Sequence, residues 1–139
     1  MAHWLFKSEP DVFSFADLES KGPAGQEWDG VRNYQARNHM RTMQVGDRGF
    51  FYHSNEGKEI VGIVEVVRTA HPDSTDDSGT WECVDIRAVR PVVKPVTLVA
   101  AKAEPRLKTM ALVSNSRLSV QPVSDAEWAI VCEMAGTEP

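Results

Sequence analysis

The chain has 139 residues, a net charge of −5, 42% hydrophobic residues and 25% charged residues. That length buries a core without disulfide or metal staples, and the composition is that of a folded protein rather than a disordered one. The negative charge argues against coating nucleic acid through many phosphate contacts, and the longest apolar run falls short of the roughly 18 residues a bilayer span needs.

In chain order, His3-Trp4-Leu5-Phe6 reads as a short buried strand. Lys7, Glu9 and Asp11 fall where a signal peptide would carry its apolar stretch, so a cytoplasmic setting is expected. Ser14 with Asp17 predicts a capped helix, with Phe13 and Leu18 as its hydrophobic staple and Gly22-Pro23 as its stop. Ala36, Met40 and Met43 recur at helical spacing and predict a second helix over Asn33–Met43. Phe50–His53 reads as a strand followed by a turn at Ser54–Gly57. Ile60–Val67 is almost wholly β-branched and reads as a strand buried on both faces, with Gly62 marking a bulge or a close approach.

A polar loop is expected to start at His71-Pro72-Asp73. Residues 82–88 then alternate, placing Glu82, Val84, Ile86 and Ala88 on one face and Trp81, Cys83, Asp85 and Arg87 on the other. Thr97 caps a short helix, Pro105 opens a short turn, and Arg117–Val123 forms the last strand. Ser124 and Glu127 make a capping box for a final helix closed by Gly136. Five or six strands with short flanking helices predict an α+β domain around a curved sheet or small barrel. No repeat or linker interrupts it, so one domain over 1–139 with a single core is expected, as a monomer.

Several residues are suited to holding a planar ligand. Trp28 precedes Asp29-Gly30 and the helix start at Asn33, where a base can stack and backbone amides are free to bond; a core tryptophan is the alternative. Trp81 lies off the apolar stripe of its strand and needs cover from a ligand or a helix. Tyr52, His53 and Ser54 end a strand with polar groups suited to a base edge, or else hold their own turn. Lys7 and Ser8 follow the first strand.

Three arginines (Arg32, Arg37, Arg41) and no carboxylate lie between Gly30 and Gly46. Arg32 and Arg37 are therefore the candidate phosphate contacts, with an ion pair as the alternative for Arg37. The four histidines and the two cysteines, Cys83 and Cys132, show no ligand or disulfide spacing, so neither metal nor cofactor is expected.

Four segments, HWLFKSEP from His3, WDGVRNYQARNHM from Trp28, FFYHSNEGKEIVGIVEV from Phe50 and SRLSVQPV from Ser116, resemble the EVE domain family in its own order. The resemblance implies a PUA-like fold, a partly closed β-barrel with flanking helices, and kinship with YTH domains, which read methylated adenine in an aromatic cage. It implies a non-enzymatic module that takes a modified base of DNA or RNA into an aromatic pocket. In the same resemblance Arg117 and Ser119 fall near the YTH pocket. The rival reading is a small amidohydrolase acting on a modified nucleoside or amide through Lys7, Ser8 and Glu9, with His53 as the base. Neighbouring residues on a strand point opposite ways, which disfavours that triad.

Overall fold

The structure is a computed structural model that describes all residues 1–139. Its elements are β1 (His3–Ser8), α1 (Phe15–Ser20), β2 (Gln26–Glu27), α2 (Tyr34–Thr42), β3 (Arg48–His53), β4 (Glu59–Pro72), β5 (Glu82–Thr97), α3 (Leu98–Ala103), α4 (Ala111–Ser114), β6 (Val120–Val123) and α5 (Asp125–Ala135). Short 3₁₀ turns cover Gly22–Ala24 and Pro105–Leu107. The strands form one mixed sheet in the order β2-β5-β4-β3-β1-β6. β1 runs parallel to β3 and every other pairing is antiparallel. The sheet is curved but not closed, and the fold is α+β.

The expectation of a single core is corrected. Strand alternation sends neighbouring side chains to opposite faces, and helices cover both. Trp4, Phe6 and Phe51 join Trp28, Leu18 and Met40 in one buried cluster. Leu5, Phe50 and Tyr52 join Trp128, Leu107 and Met110 in the other. The parallel register pairs Leu5 with Phe50 and Phe6 with Phe51, so each cluster is continuous across the two strands.

Local signals explain most element ends. Ser14–Asp17 and Ser124–Glu127 form complete capping boxes, Asn33 caps α2, and Gly136 closes α5 at φ +63°. Three expectations needed revision. β4 runs on through Pro72, and β5 extends to Thr97 across Pro91 and Pro95. The latter is possible because β2 pairs only with Asp85 and Ile86, leaving the rest of β5 as an edge that tolerates proline. The last strand begins at Val120 rather than Arg117.

Gly62 marks a register shift between β4 and β5, and a Cβ there would lie 2.3 Å from the Phe15 ring. Phe15 is buried in the core, so the clash is not easily relieved. Gly62→Ala is expected to destabilise the fold by about 1–3 kcal/mol, as overpacking does. An unchanged urea midpoint would contradict that close approach.

Two histidines make the fold acid-sensitive. Burial holds His39 and His53 below the ordinary histidine value, with Glu59 partly opposing it at His53. Neutral His53 accepts a hydrogen bond at Nε2 from the backbone N–H of Phe15 (3.1 Å), at the start of α1. The unfolded chain binds protons at these sites first. Their contribution is therefore present above the unfolded value of 6.5 and lost as pH falls through the lowered folded values. Urea midpoints should fall between pH 7.5 and 5.5, and His53→Gln should flatten the slope. A slope of the same size in the variant would remove His53 as a cause.

Candidate nucleotide-binding cleft

A cleft of about 500 Å³ opens where the end of β1 meets the segment between β2 and α2. That is the size of a small-ligand site. Its walls are Lys7 and Ser8, which end β1 rather than follow it, Glu9 just beyond, Val12 and Phe13 before α1, the run from Gln26 to Arg32, and Ser119 before β6.

Trp28 is the aromatic wall, and it is also a core residue at 7% exposure. Its ring meets Phe6, Phe13 and Phe51 edge-on at centroid separations of 5.8, 6.1 and 5.7 Å. Its backbone N–H donates to the carbonyl of Val84 (2.8 Å), which ties the segment to β5. The two readings of this tryptophan, packing and ligand wall, therefore describe one ring.

Asp73, on the β4–β5 connection, organises the rest of the wall. Only 2% exposed, it accepts from the N–H of Gly30 (2.9 Å), from Arg32 Nη1 (3.1 Å), and from the N–H and hydroxyl of Thr75 (2.7 and 2.6 Å). Burial pushes its carboxyl up, but the bonds from Thr75, Gly30 and Arg32 outweigh that and hold it down at about 2. Gly30 sits at φ +79°, the left-handed region that glycine adopts at little cost, and this turns its N–H toward Asp73.

Neighbouring Asp29 behaves oppositely. Partial burial, then the charges of Asp73 and Glu27, hold its carboxyl above the ordinary value. Its own backbone amide bonds the carboxylate, which keeps further acceptor capacity on the rim. Glu27 is lowered: burial pushes it up, but bonds from Ser74 outweigh that. On the opposite side, burial lowers Lys7, whose Nζ donates to the carbonyl of Ser116 (2.7 Å) and retains two further N–H groups.

The expected site residues thus divide. Lys7, Ser8, Trp28, Asp29, Gly30, Arg32 and Ser119 line the cleft together. Asn33 is spent on capping α2, where its side chain accepts from the N–H of Ala36. Tyr52 is a core residue at 3% exposure, His53 bonds α1, and the N–H of Ser54 donates to the carbonyl of Ser8, so none of the three lines the cleft. Arg117 stands exposed in the turn before β6, because that strand starts three residues later.

Trp81 is corrected too. It precedes β5 rather than belonging to it, and its ring stacks on Tyr34 at 4.8 Å and 29° instead of facing Trp28. Arg37 donates to the carbonyl of Thr80 (2.8 Å) and sits over Tyr34, away from the cleft lining. Arg41 pairs with Glu82.

The hydrolase reading gains nothing from this geometry. The Ser8 hydroxyl donates to the carbonyl of Phe13 (2.5 Å), and no histidine lines the cleft. Beside the cleft, β2, β4 and β5 bring one atom each of Glu27, His71 and Cys83 within 4.8 Å of one another, a grouping that sequence spacing could not show. Each already has a protein partner: Cys83 Sγ donates to Glu27 (3.3 Å), and His71 Nε2 lies 2.8 Å from Asp85. Burial, then the bond to Glu27, pushes the Cys83 thiol strongly up. Asp73 was absent from the expected site, and only its place in the acid-rich loop after Pro72 hinted at it.

The EVE domain family model matches residues 2–134. Human thymocyte nuclear protein 1 is 35% identical, over 99% of this chain and 76% of the relative. The structure of that human protein in complex with 5-methylcytosine-containing DNA matches all of both chains, at 36% identity and TM-score 0.91. A crystal structure from Agrobacterium tumefaciens covers 99% of this chain and 94% of its own, at 55% identity and TM-score 0.97. A YTH domain from Zygosaccharomyces rouxii, solved with N6-methyladenosine RNA, shares the fold at TM-score 0.57 and 16% identity over 96% of this chain and 86% of its own. No helix is long and apolar enough to cross a membrane. With the family model covering nearly its whole length, the chain belongs to the EVE domain family.

Proposed function

We propose that this chain is a binding module that takes one extruded, modified base of a DNA strand into the Trp28 cleft, with 5-methylcytosine as the first ligand to test. The observation that carries the reading is a base-sized cleft joining a core-held tryptophan wall to a carboxylate rim with acceptor capacity to spare. The human relative solved with 5-methylcytosine-containing DNA supports the choice of ligand. Trp28 and Phe13 supply the aromatic surface. Asp29 accepts from the exocyclic amine of cytosine, and the spare N–H groups of Lys7 face the ring's acceptors. Arg32 lies at the mouth, but its charge is taken up by Asp73, so it borders the phosphate path rather than holding the phosphate. The module acts as one unit over 1–139, as a monomer and without a cofactor or metal. A cytoplasmic setting belongs to the same reading, although the vertebrate relatives carry a nuclear name.

Extrusion costs a few kcal/mol, and each aromatic stack returns roughly 1–3 kcal/mol, so affinity is modest. A buried methyl adds only about 0.8 kcal/mol, near a fourfold preference. The test is titration with single-stranded oligonucleotides that carry one cytosine or one 5-methylcytosine. Saturable binding with at least that preference is expected, with a salt dependence of a few phosphates. Equal affinity for both strands, or no binding, overturns the reading.

A further inference from the structure

Next to the cleft stands an aromatic stack that the cleft does not use. Tyr34, the first residue of α2, is 60% exposed although its ring lies on Trp81. The Trp81 backbone is fixed on both sides: its N–H donates to Asp76 (3.0 Å) and its carbonyl accepts from the N–H of Asp73 (3.0 Å). The Arg32 guanidinium lies 5.6 Å from the Trp81 ring centre, and that of Arg37 lies 4.9 Å from the Tyr34 ring centre.

The two arginines differ in charge balance. Arg32 is neutralised by Asp73, and Arg41 by Glu82. Arg37 has only oxygens of neutral groups as partners, the Thr80 carbonyl and the Asn38 side chain. Its charge is therefore uncompensated, and the first turn of α2 carries no acidic residue. Arg32 belongs both to the cleft wall and to the stack, so the two surfaces are contiguous.

We infer that Tyr34 is a second base site, on which the unpaired base next to the one in the cleft stacks while Arg37 holds the phosphate between them. The fixed tryptophan beneath Tyr34 means that little ring motion is lost on stacking. Every base presents a π-face, so the site tolerates any sequence. Arg37, with charge to spare, answers a backbone phosphate where Arg32 is already committed. The inference rests on the cleft reading, and it turns a mononucleotide pocket into a dinucleotide site.

The experiment compares wild type, Tyr34→Ala, Tyr34→Phe and Arg37→Gln. The probes are free 5-methyldeoxycytidine monophosphate, a single-stranded DNA oligonucleotide with one 5-methylcytosine, and the same strand unmodified. Tyr34 is exposed and alanine is a good helix former, so the variants should fold, which circular dichroism checks.

Tyr34→Ala should weaken both oligonucleotides by about fivefold to a hundredfold, the equivalent of one stacked base. Its affinity for the free nucleotide should be unchanged, and Tyr34→Phe should restore oligonucleotide binding. Arg37→Gln should lower the salt slope by about one phosphate. If Tyr34→Ala binds the oligonucleotides as wild type does, or loses the free nucleotide equally, the second site is overturned and the cleft reading stands. If wild type ignores the free nucleotide but binds strands through Tyr34, the cleft reading fails and the stack survives. Absence of any strand binding removes both.

Discussion

Replacing Asp73 with alanine is expected to cost about 3 kcal/mol of stability and to weaken ligand binding with it. The carboxylate is buried, and it satisfies four donors from three residues. Its removal leaves the Gly30 and Thr75 amides without partners at about 1–3 kcal/mol apiece. Water reaching the part-exposed Arg32 offsets some of that loss.

An independent route gives a similar size. A carboxyl held at about 2 against an ordinary 3.8 stabilises the folded state by about 2 kcal/mol at neutral pH. That contribution is present above the unfolded value and disappears as pH falls from about 4 toward 2. Asp73→Ala should therefore lower the urea midpoint at pH 7 and flatten the loss of stability over that acid window. A cost below about 1 kcal/mol with the window unchanged would show that the Gly30 turn holds itself.

Asp73 also shows where sequence reading stops. Two helix starts were legible because a cap is local: Ser14 with Asp17 and Ser124 with Glu127 lie within three residues of each other, whereas the Asn33 cap on Ala36 was not read. Gly62 was legible as a break in a β-branched run. Asp73 bonds Gly30, 43 residues away, and only the pairing of β2 with β5 brings them together.

The same limit explains the misplaced aromatics. Period-2 alternation set Trp81 apart from the apolar stripe, but nothing in its neighbourhood showed that Tyr34 would cover it. Tyr52 and His53 follow directly on Phe51, and the parallel pairing with β1 decides which of them points inward. Half of the cleft, from Lys7 to Ser8 and from Trp28 to Arg32, was legible because those runs are contiguous in the chain. Ser119 was indicated only by the family resemblance, and the strut at Asp73 was a matter of topology.

The Trp28→Ala variant is expected to lose about 3–5 kcal/mol of stability, the range for deleting a buried large aromatic, and to lose base binding as well. Loss of binding by an unfolded protein would prove nothing, so Trp28→Phe is the informative companion. Phenylalanine keeps most of the edge contacts with Phe6, Phe13 and Phe51 while shrinking the π-surface offered to the cleft. It should remain folded at 25 °C and bind a free modified nucleotide several-fold more weakly. Trp81→Ala supplies the contrast. Its ring is only partly buried and lies outside the cleft lining, so it should cost less stability and leave free-nucleotide affinity intact. Stability follows from urea titration and affinity from calorimetry on the same samples. If Trp28→Phe binds as wild type does while Trp81→Ala does not, the base lies against Trp81, and the cleft beside Trp28 is not the site.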